Sequence, residues 1–521
     1  MQHGEQDADA REAARLRYEL GRLRDRRTVR AALAVGDLRR GGPGAALAAL
    51  RGRAPRMDVP GPRHTPLRPP FPHLRVLHTG EGHLVASTAI HERLTPANGL
   101  ALLQRDRPDL LLVDGVAGWS GPSLATLREA ARAAQVPVVT LGPTAAAAVP
   151  SADLRVATDV PVAGAHLDLG VGADIRVWSP AGLDDATPAH RRDDVAALRP
   201  ADARRQPVVV VPDVAAVGAR RCVELLSAGA LVITGPDARL RAALAPLDFE
   251  VVGPTASLEQ RAAELLADDA MRRRLSVRLR RHVHTRLTTR EQLVAVVEAL
   301  HLDDRPPQRI SVLLATRRPD RVAQVLEDLD AQRHADVEVI LLPHGDAPLP
   351  EDLPTGTKVQ RVPAERPLGA VLNVGLDLAT GAYVAKVDDD DRYGTDHLGD
   401  QVLAVRHSGA ELVGRRSHGV YDEAADVTIV PLPGGEERFE DHLPGGTLLA
   451  PATVMRALRW RHVPRAVDTE LVRAVHLAGG SAYSSHAYGY VRVRHGDHLY
   501  DPTVDWPGAR VPGLDTGLLE A

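Results

Sequence analysis

Cysteine occurs once, as Cys222, which excludes an internal disulfide and a cysteine-built zinc cluster. Lysine occurs twice among 64 basic residues, at Lys358 and Lys386, asparagine twice, at Asn98 and Asn373, and phenylalanine three times. Alanine and arginine fill the space, as in a GC-rich coding background that drains AT-rich codons. A lysine or asparagine that survives there carries slightly more weight. No run of about 18 uninterrupted apolar residues exists. The opening "MQHGEQDADAREAARLRYEL" has no apolar signal-peptide core. A formal net charge of -4 over 521 residues makes no large single-signed field and argues against a nucleic-acid partner. These absences predict a soluble, cytoplasmic protein, at most peripheral at the inner face of a membrane.

The length of 521 residues predicts about three domains. Residues 1–60 read as a helical N-terminal segment, with Leu16, Leu20 and Leu23 at helical spacing between arginines. Such a helix packs on the body, joins a second copy as a homodimer, or lies on a membrane surface. Prolines in "APRMDVPGPRHTPLRPPFPH" then forbid regular structure.

Residues 72–300 alternate short apolar runs with helical patterns, which predicts an α/β region with parallel sheets. The expected strands are "LRVLHTG", "DLLLVDG", "PVVTLGP", "LRVATDV", "PVVVVPD", "ALVITGP" and "FEVVGPT". A helical stretch from Leu258 to Leu300 closes the region. A second α/β unit spans 307–505: strand "RISVLLAT", helix "PDRVAQVLEDLDAQ", strand "VEVILLPHG", helix "GAVLNVGLDLAT" and strand "AYVAKV". Residues 506–521 look like an irregular tail.

The last of those strands delivers "DDDD", Asp388 to Asp391, at its carboxyl end, where ligands of open parallel sheets gather. Adjacent carboxylates repel unless a cation or donor neutralises them. A Mg2+ or Mn2+ site and a solvated turn both fit the spacing. An EF-hand is excluded, since its fifth, sixth and twelfth places hold Arg392, Tyr393 and Gly399. A phosphatase-type Asp-x-Asp-x-Thr/Val fails at Arg392, and no P-loop sequence occurs anywhere. Lys386 shares a strand face with Asp388, which suggests a counter-charge. Asp468, ahead of "TELVRAVHLA", reads from its spacing as a helix N-cap.

"ISVLLATRRPDRV", "VEVILL", "PLGAVLNVGLDLATGAYVAKVDDDDRYG", "GGTLLAP", "RAVDTELVRAVHLAGGSAYSS" and "YVRVRHGDHLY" resemble, in order and spacing, the family 2 glycosyltransferases of GT-A fold. The resemblance implies a mixed, mainly parallel sheet and an inverting, metal-dependent enzyme. It assigns Asp390 to the metal, Mn2+ or Mg2+, Asp388 to the ribose or metal, and His498 to the neighbourhood of metal and diphosphate. Thr316, Arg317, Asn373 and Asp391 would line the nucleotide-sugar pocket, and Asp468 would be the catalytic base. Departures from the family are "LPHGD" where an acidic base-reading turn is usual, Val467 in place of an acid before Asp468, and Tyr500 in place of the commoner Trp.

"RPDLLLVDGVAGWSG", "RRCVELLSAGALVITGPDARLRAAL" and "AAELLADDAMRRRLSVRLRRHVHTRLTTREQLVAVV" look like a GT-B glycosyltransferase of two Rossmann-type halves, near the spore-maturation-protein-like branch. This implies a second nucleotide site at Glu224, Arg220 and Arg221. Ala216 stands where the partner acid is usual, and the stretch before "PVVVVPD" is short, features of a compact or degenerate module.

The combined reading is a glycosyltransferase that moves a sugar from a nucleoside-diphosphate donor to a glycan or lipid-linked hydroxyl acceptor, in bacterial surface polysaccharide or glycoconjugate synthesis. A non-catalytic glycan-binding scaffold is the alternative. A sugar nucleotidyltransferase ranks lower, because "LLATRRPD" lacks its glycines.

Overall fold

The structure, a computed structural model, describes residues 71–80, 89–149, 151–157, 167–168, 208–302, 308–334, 336–350, 352–431, 434–463, 466–495 and 510–521. The helix expected within 1–60, His498 and Tyr500 lie outside these residues. The fold is mixed α/β with mainly parallel sheets, as expected. It divides into two compact units, one within Pro66–Pro306 and one within Pro307–Ala521.

In the first unit, β1 (Phe71–His78), β2 (Ala89–Arg93), β3 (Leu110–Val113), β4 (Val138–Leu141), β5 (Leu154–Ala157) and β6 (Leu167–Asp168) form one sheet. Its order is β2-β1-β3-β4-β5-β6, and every pairing is parallel. Leu110 and Leu112 pack on one face with Leu74, Val76, Leu293 and Val296, while Leu111 and Val113 pack on the other with Leu103 and Leu127. A strand buried on both faces must be apolar throughout, and "LLLV" is. The crossover helix Gly121–Ala133 starts in a capping box between Ser120 and Ser123.

A parallel pair, β7 (Val209–Val211) and β8 (Val232–Thr234), follows with its own core of Cys222, Val223, Leu226, Leu240 and Leu279. The strand expected at "FEVVGPT" is instead a short helix, Asp248–Val251. Phe249 is 70% exposed and Val251 is 1% exposed, whereas in a strand the two would share a face. Asp248 pairs with Arg241 and its carbonyl accepts from Val252 N, so only Val252 bridges to the sheet, at Thr234. The expected helical stretch from Leu258 is three helices, Leu258–Ala267, Asp269–Arg286 and Thr289–Ala299.

The second unit contains β9 (Ile310–Thr316), β10 (Val337–Pro343), β11 (Lys358–Val359), β12 (Tyr383–Val387), β13 (Arg392–Tyr393), β14 (Leu412–Gly414), β15 (Gly419–Asp422), β16 (Val427–Ile429), β17 (Arg438–Phe439), β18 (Leu449–Pro451), β19 (Ala482–Ser484), β20 (Tyr490–Arg494) and β21 (Arg510–Pro512). An eight-stranded sheet runs β11-β10-β9-β12-β18-β14-β19-β17, and its first four strands are mutually parallel. A five-stranded sheet runs β13-β20-β15-β16-β21. Four helices matter for the site: α1 (Val322–Asp330), α2 (Leu368–Leu378), α3 (His397–Ser408) and α4 (Val467–Leu477). Leu313, Ile340, Leu342, Leu372, Leu376, Val384 and Leu471 form the core that joins α2 and α4 to the larger sheet.

The tail expected to be irregular carries an edge strand. β21 pairs antiparallel with β16, and Gly489 N donates to Leu518 O at 2.7 Å. An edge position needs only one side of the backbone paired, so it tolerates Pro512 and hides from a search for alternating runs.

Candidate active site

β10 and β11 lie on one side of β9 and β12 lies on the other, so strand order reverses between β9 and β12. The crevice at the carboxyl ends of such a pair is where open sheets bind ligands. β9 delivers Thr316, Arg317 and Arg318 to this edge, and β12 delivers the acidic run. Thr316 Oγ1 donates to Asp389 Oδ2 at 2.5 Å and accepts from Arg318 N at 2.9 Å. The Arg318 guanidinium then bridges two acids, donating to Asp389 Oδ1 at 2.7 Å and Asp390 Oδ2 at 2.5 Å. Burial opposes its charge, and the two carboxylates outweigh burial and raise its pKa. Arg317 turns aside, donating to His344 Nδ1 at 3.0 Å and Ala364 O at 3.1 Å.

Lys386 is 3% exposed, and its backbone N donates to Leu448 O at 2.8 Å. Its ammonium donates to Asp388 Oδ1 at 2.6 Å and lies 3.4 Å from Asp468 Oδ2. Burial alone would lower its pKa, but the charges of Asp388 and Asp468 raise it. The ammonium is therefore a counter-charge to the acidic run, and it also ties that run to Asp468.

Asp468 is the second residue of α4, and it does not cap the helix. The N-cap is Ala466, at φ 58, with no side-chain cap. The Asp468 carboxylate instead faces Lys386. Its Oδ1 is buried without a hydrogen-bond partner among the described residues. Burial pushes its pKa up, Lys386 opposes and Asp388 adds to the rise. A carboxyl held above its ordinary range is a better proton acceptor.

A turn, Gly445–Thr447, packs against these groups. A Cβ on Gly445 would lie 1.9 Å from Asp468 Oδ2 and 3.0 Å from Lys386 Nζ. One on Gly446 would lie 2.9 Å from Asp388 Oδ2, Asp391 Oδ2 and the Tyr490 hydroxyl. The carboxylates occupy the volume that any side chain here would need.

Asp391 points inward. It is 3% exposed, Tyr490 OH donates to its Oδ2 at 2.6 Å, and Val493 N donates to its Oδ1 at 3.0 Å. Burial, joined by the charges of Asp388 and Asp390, pushes its pKa up to about 8. Asp388 N donates to Tyr393 OH at 2.8 Å, and that hydroxyl donates to Gly446 O at 3.0 Å. The end of the run is anchored at α1, where Asp328 accepts from Arg392 Nε at 2.9 Å and Tyr393 N at 2.8 Å.

Asn373 of α2 spends its amide on the segment ahead of α4: Nδ2 donates to Trp460 O at 2.8 Å and Oδ1 accepts from Trp460 N at 3.0 Å. In the first unit, Arg220 and Arg221 donate to the two oxygens of Glu224, at 3.3 and 2.9 Å, within one turn of helix Ala219–Ser227.

The structure thus gathers Thr316, Asp388, Asp390, Asp391 and Asp468 at one edge, while Arg317 and Asn373 bond elsewhere. Sequence reasoning missed Arg318, Asp389, Tyr490 and the roles of Gly445 and Gly446. Arg318 stood beside two residues already singled out, and the glycine pair lay in a motif already noted. Among the described residues no set of three or more His, Cys, Asp or Glu is arranged to hold a metal ion. Asp388 and Asp390 are each held by a resident cation. The donors are nonetheless oxygens of the kind hard divalent cations prefer, and Asp468 Oδ1 is acceptor capacity left unspent at the same edge.

No protein-family model matches the chain, and no curated protein matches it. Among solved structures, S. aureus TarS is similar at 15% identity and TM-score 0.29, over 36% of this chain and 37% of that one. TarS 1-349 in complex with UDP-GlcNAc is similar at 17% identity and TM-score 0.31, over 38% of this chain and 62% of that one. TarS 1-349 in complex with UDP is similar at 17% identity and TM-score 0.28, over 36% and 61%. The chain spans less than two thirds of each of these structures, and likeness this slight supports no conclusion about activity.

Proposed function

We propose that the second unit transfers a glycosyl group from a nucleoside-diphosphate sugar to a hydroxyl acceptor, with inversion. The carrying observation is the Asp388–Lys386–Asp468 bridge: it puts an acid of raised pKa, with one oxygen unspent, beside an acidic run at a reversal of strand order. Asp468 takes the proton of the acceptor hydroxyl, whose own pKa is too high for unaided attack. Lys386 fixes the orientation of that carboxylate, and the glycine turn keeps donor-side and acceptor-side acids in one compartment. Attack from the face opposite the leaving diphosphate inverts the anomeric carbon. Mn2+ or Mg2+, held by Asp388 and Asp390 with His498, would neutralise charge on the leaving diphosphate.

This reading takes residues 307–505 as a family 2 GT-A domain and 72–300 as a GT-B-like module. It places the protein in synthesis of a bacterial surface polysaccharide or glycoconjugate, cytoplasmic or peripheral at the inner membrane face. No helix among the described residues is long and apolar enough to cross a membrane.

The test is a thermal-shift screen of the full chain with UDP-, GDP-, dTDP- and CDP-sugars, with and without Mn2+, followed by turnover of the stabilising donor. Asp390→Ala and Asp468→Asn should each lower turnover by at least about 10²-fold. Turnover unchanged by both substitutions overturns the assignment. The scaffold reading is favoured by one observation, the hold of Lys386 and Arg318 on Asp388 and Asp390, and it gains if no nucleotide sugar produces a metal-dependent shift.

A further inference from the structure

Two cations sit among the carboxylates of the second unit, and their donors are used differently. The Lys386 ammonium is buried between Asp388 and Asp468. The Arg318 side chain is 33% exposed, and its Nη2 alone makes both acid contacts, at 2.7 Å to Asp389 Oδ1 and 2.5 Å to Asp390 Oδ2. Its Nε and Nη1 bond to nothing among the described residues, and neither nitrogen is buried. One guanidinium thus keeps three unspent N–H donors, one on Nε and two on Nη1, at the edge where β9 and β12 end.

The group is also fixed in place before any ligand arrives. Arg318 N donates to Thr316 Oγ1 at 2.9 Å, and that hydroxyl donates in turn to Asp389 Oδ2. Pro319 follows, and a residue before proline has few backbone conformations open to it. The neighbouring Arg317 is committed to His344 and Ala364. On the acid side, Asp388 Oδ2 and Asp390 Oδ1 accept no hydrogen bond among the described residues, so each of these carboxylates keeps one oxygen unspent while the other meets a resident cation.

We propose, on the footing of the transfer reaction above, that Arg318 is a diphosphate-binding residue: its free Nε and Nη1 donors take an oxygen of the donor's diphosphate while Nη2 stays on Asp389 and Asp390. A planar, permanently charged guanidinium suits phosphate oxygens, and the two carboxylates hold it without using those donors. It sets a fixed positive charge beside the leaving group, where negative charge grows, and needs no rearrangement when that charge forms. Lys386 is buried between its own two acids and is not available for this task. The Arg318 charge also opposes any further cation at Asp390, so the acids alone hold a metal weakly and hold it better once a diphosphate has arrived.

Isothermal titration of the full chain tests this, with Mn2+ alone and then with UDP, GDP, dTDP, CDP and pyrophosphate in the presence of Mn2+. In Arg318→Met the tightest diphosphate should bind roughly tenfold more weakly, the weight of one charge-assisted hydrogen bond, whereas Mn2+ alone should bind at least as tightly as to the wild type. Weakening of Mn2+ and diphosphate together marks collapse of the acidic run and overturns the proposal. Unchanged diphosphate affinity also overturns it, and the transfer reading then stands if Asp390→Ala still weakens both ligands. A wild type that binds none of the diphosphates overturns both. Should Arg318→Met not fold, Arg318→Lys keeps a charge beside the acids with fewer spare donors: weaker diphosphate binding with Mn2+ unchanged is expected, and unchanged diphosphate binding overturns the assignment.

Discussion

The two reversals of strand order, between β9 and β12 and between β1 and β3, are built on the same topology and filled with opposite chemistry. Between β9 and β12 stand five carboxylates, Asp388 to Asp391 and Asp468, against two resident cations, Arg318 and Lys386. Between β1 and β3 stand one carboxylate, Asp114, and the neutral imidazole of His78 over a floor of touching glycines, Gly80 and Gly115. A parallel sheet supplies the crevice in both cases, and the residue after the last strand position decides what the crevice can hold. The first edge is governed by charge and its counter-charges, the second by close backbone packing.

That contrast breaks most visibly at Asp468. Asp468→Asn keeps the shape and removes the proton acceptor, so glycosyl transfer should fall by about 10²- to 10⁴-fold in turnover measurements, with donor affinity by thermal shift unchanged. Next in size is Lys386→Met. It leaves Asp388 and Asp468 facing each other without their ammonium, and urea unfolding should show a loss of roughly 3 kcal/mol, the low end for a broken buried pair because both carboxylates keep some solvent. The neutral crevice should respond to volume instead of charge. Gly115→Ala forces a methyl against Gly80 Cα and should cost about 1–3 kcal/mol by the same measurement.

The smallest effects are opposite pH slopes. In the folded chain Asp391 keeps its proton up to about pH 8, while its ordinary pKa is 3.8. The unfolded chain therefore binds fewer protons in that window, and stability contributed at Asp391 falls as pH rises from the ordinary value towards 8. His78 is lowered from 6.5, so the unfolded chain binds more protons just below that value, and stability is lost as pH falls through it. Melting temperatures across this range should flatten on the alkaline side in Asp391→Asn and on the acid side in His78→Asn. Slopes of equal sign would contradict the contrast.

The strands that build both crevices were legible because apolar runs buried on two faces leave a plain mark. "FEVVGPT" misled because Phe249, Val251 and Val252 suit a strand or a short helix, and only packing, which buries Val251 and leaves Phe249 exposed, distinguishes the two. The edge strand at Arg510–Pro512 left no alternation to read. Arg317 and Arg318 are neighbours on a turn, and the path of the chain after β9 decides which one meets the acids. Asn373 stood out by rarity, but its bonds to Trp460 depend on packing of α2 that no spacing encodes. His78 and Asp114 ended two strands that could be recognised, yet their meeting depends on strand order.

At the Gly445–Gly446 turn the space of the two missing side chains is filled by carboxylates, Asp468 at Gly445 and Asp388 with Asp391 at Gly446. The groups assigned to acceptor and donor therefore pack against one backbone turn and share the Lys386 ammonium, and neither can be relocated by adjusting the turn. Redesign of this protein for a new donor or acceptor has to begin at the outer rim of the crevice, because the turn behind these carboxylates has no side chain to trim and no room to gain one.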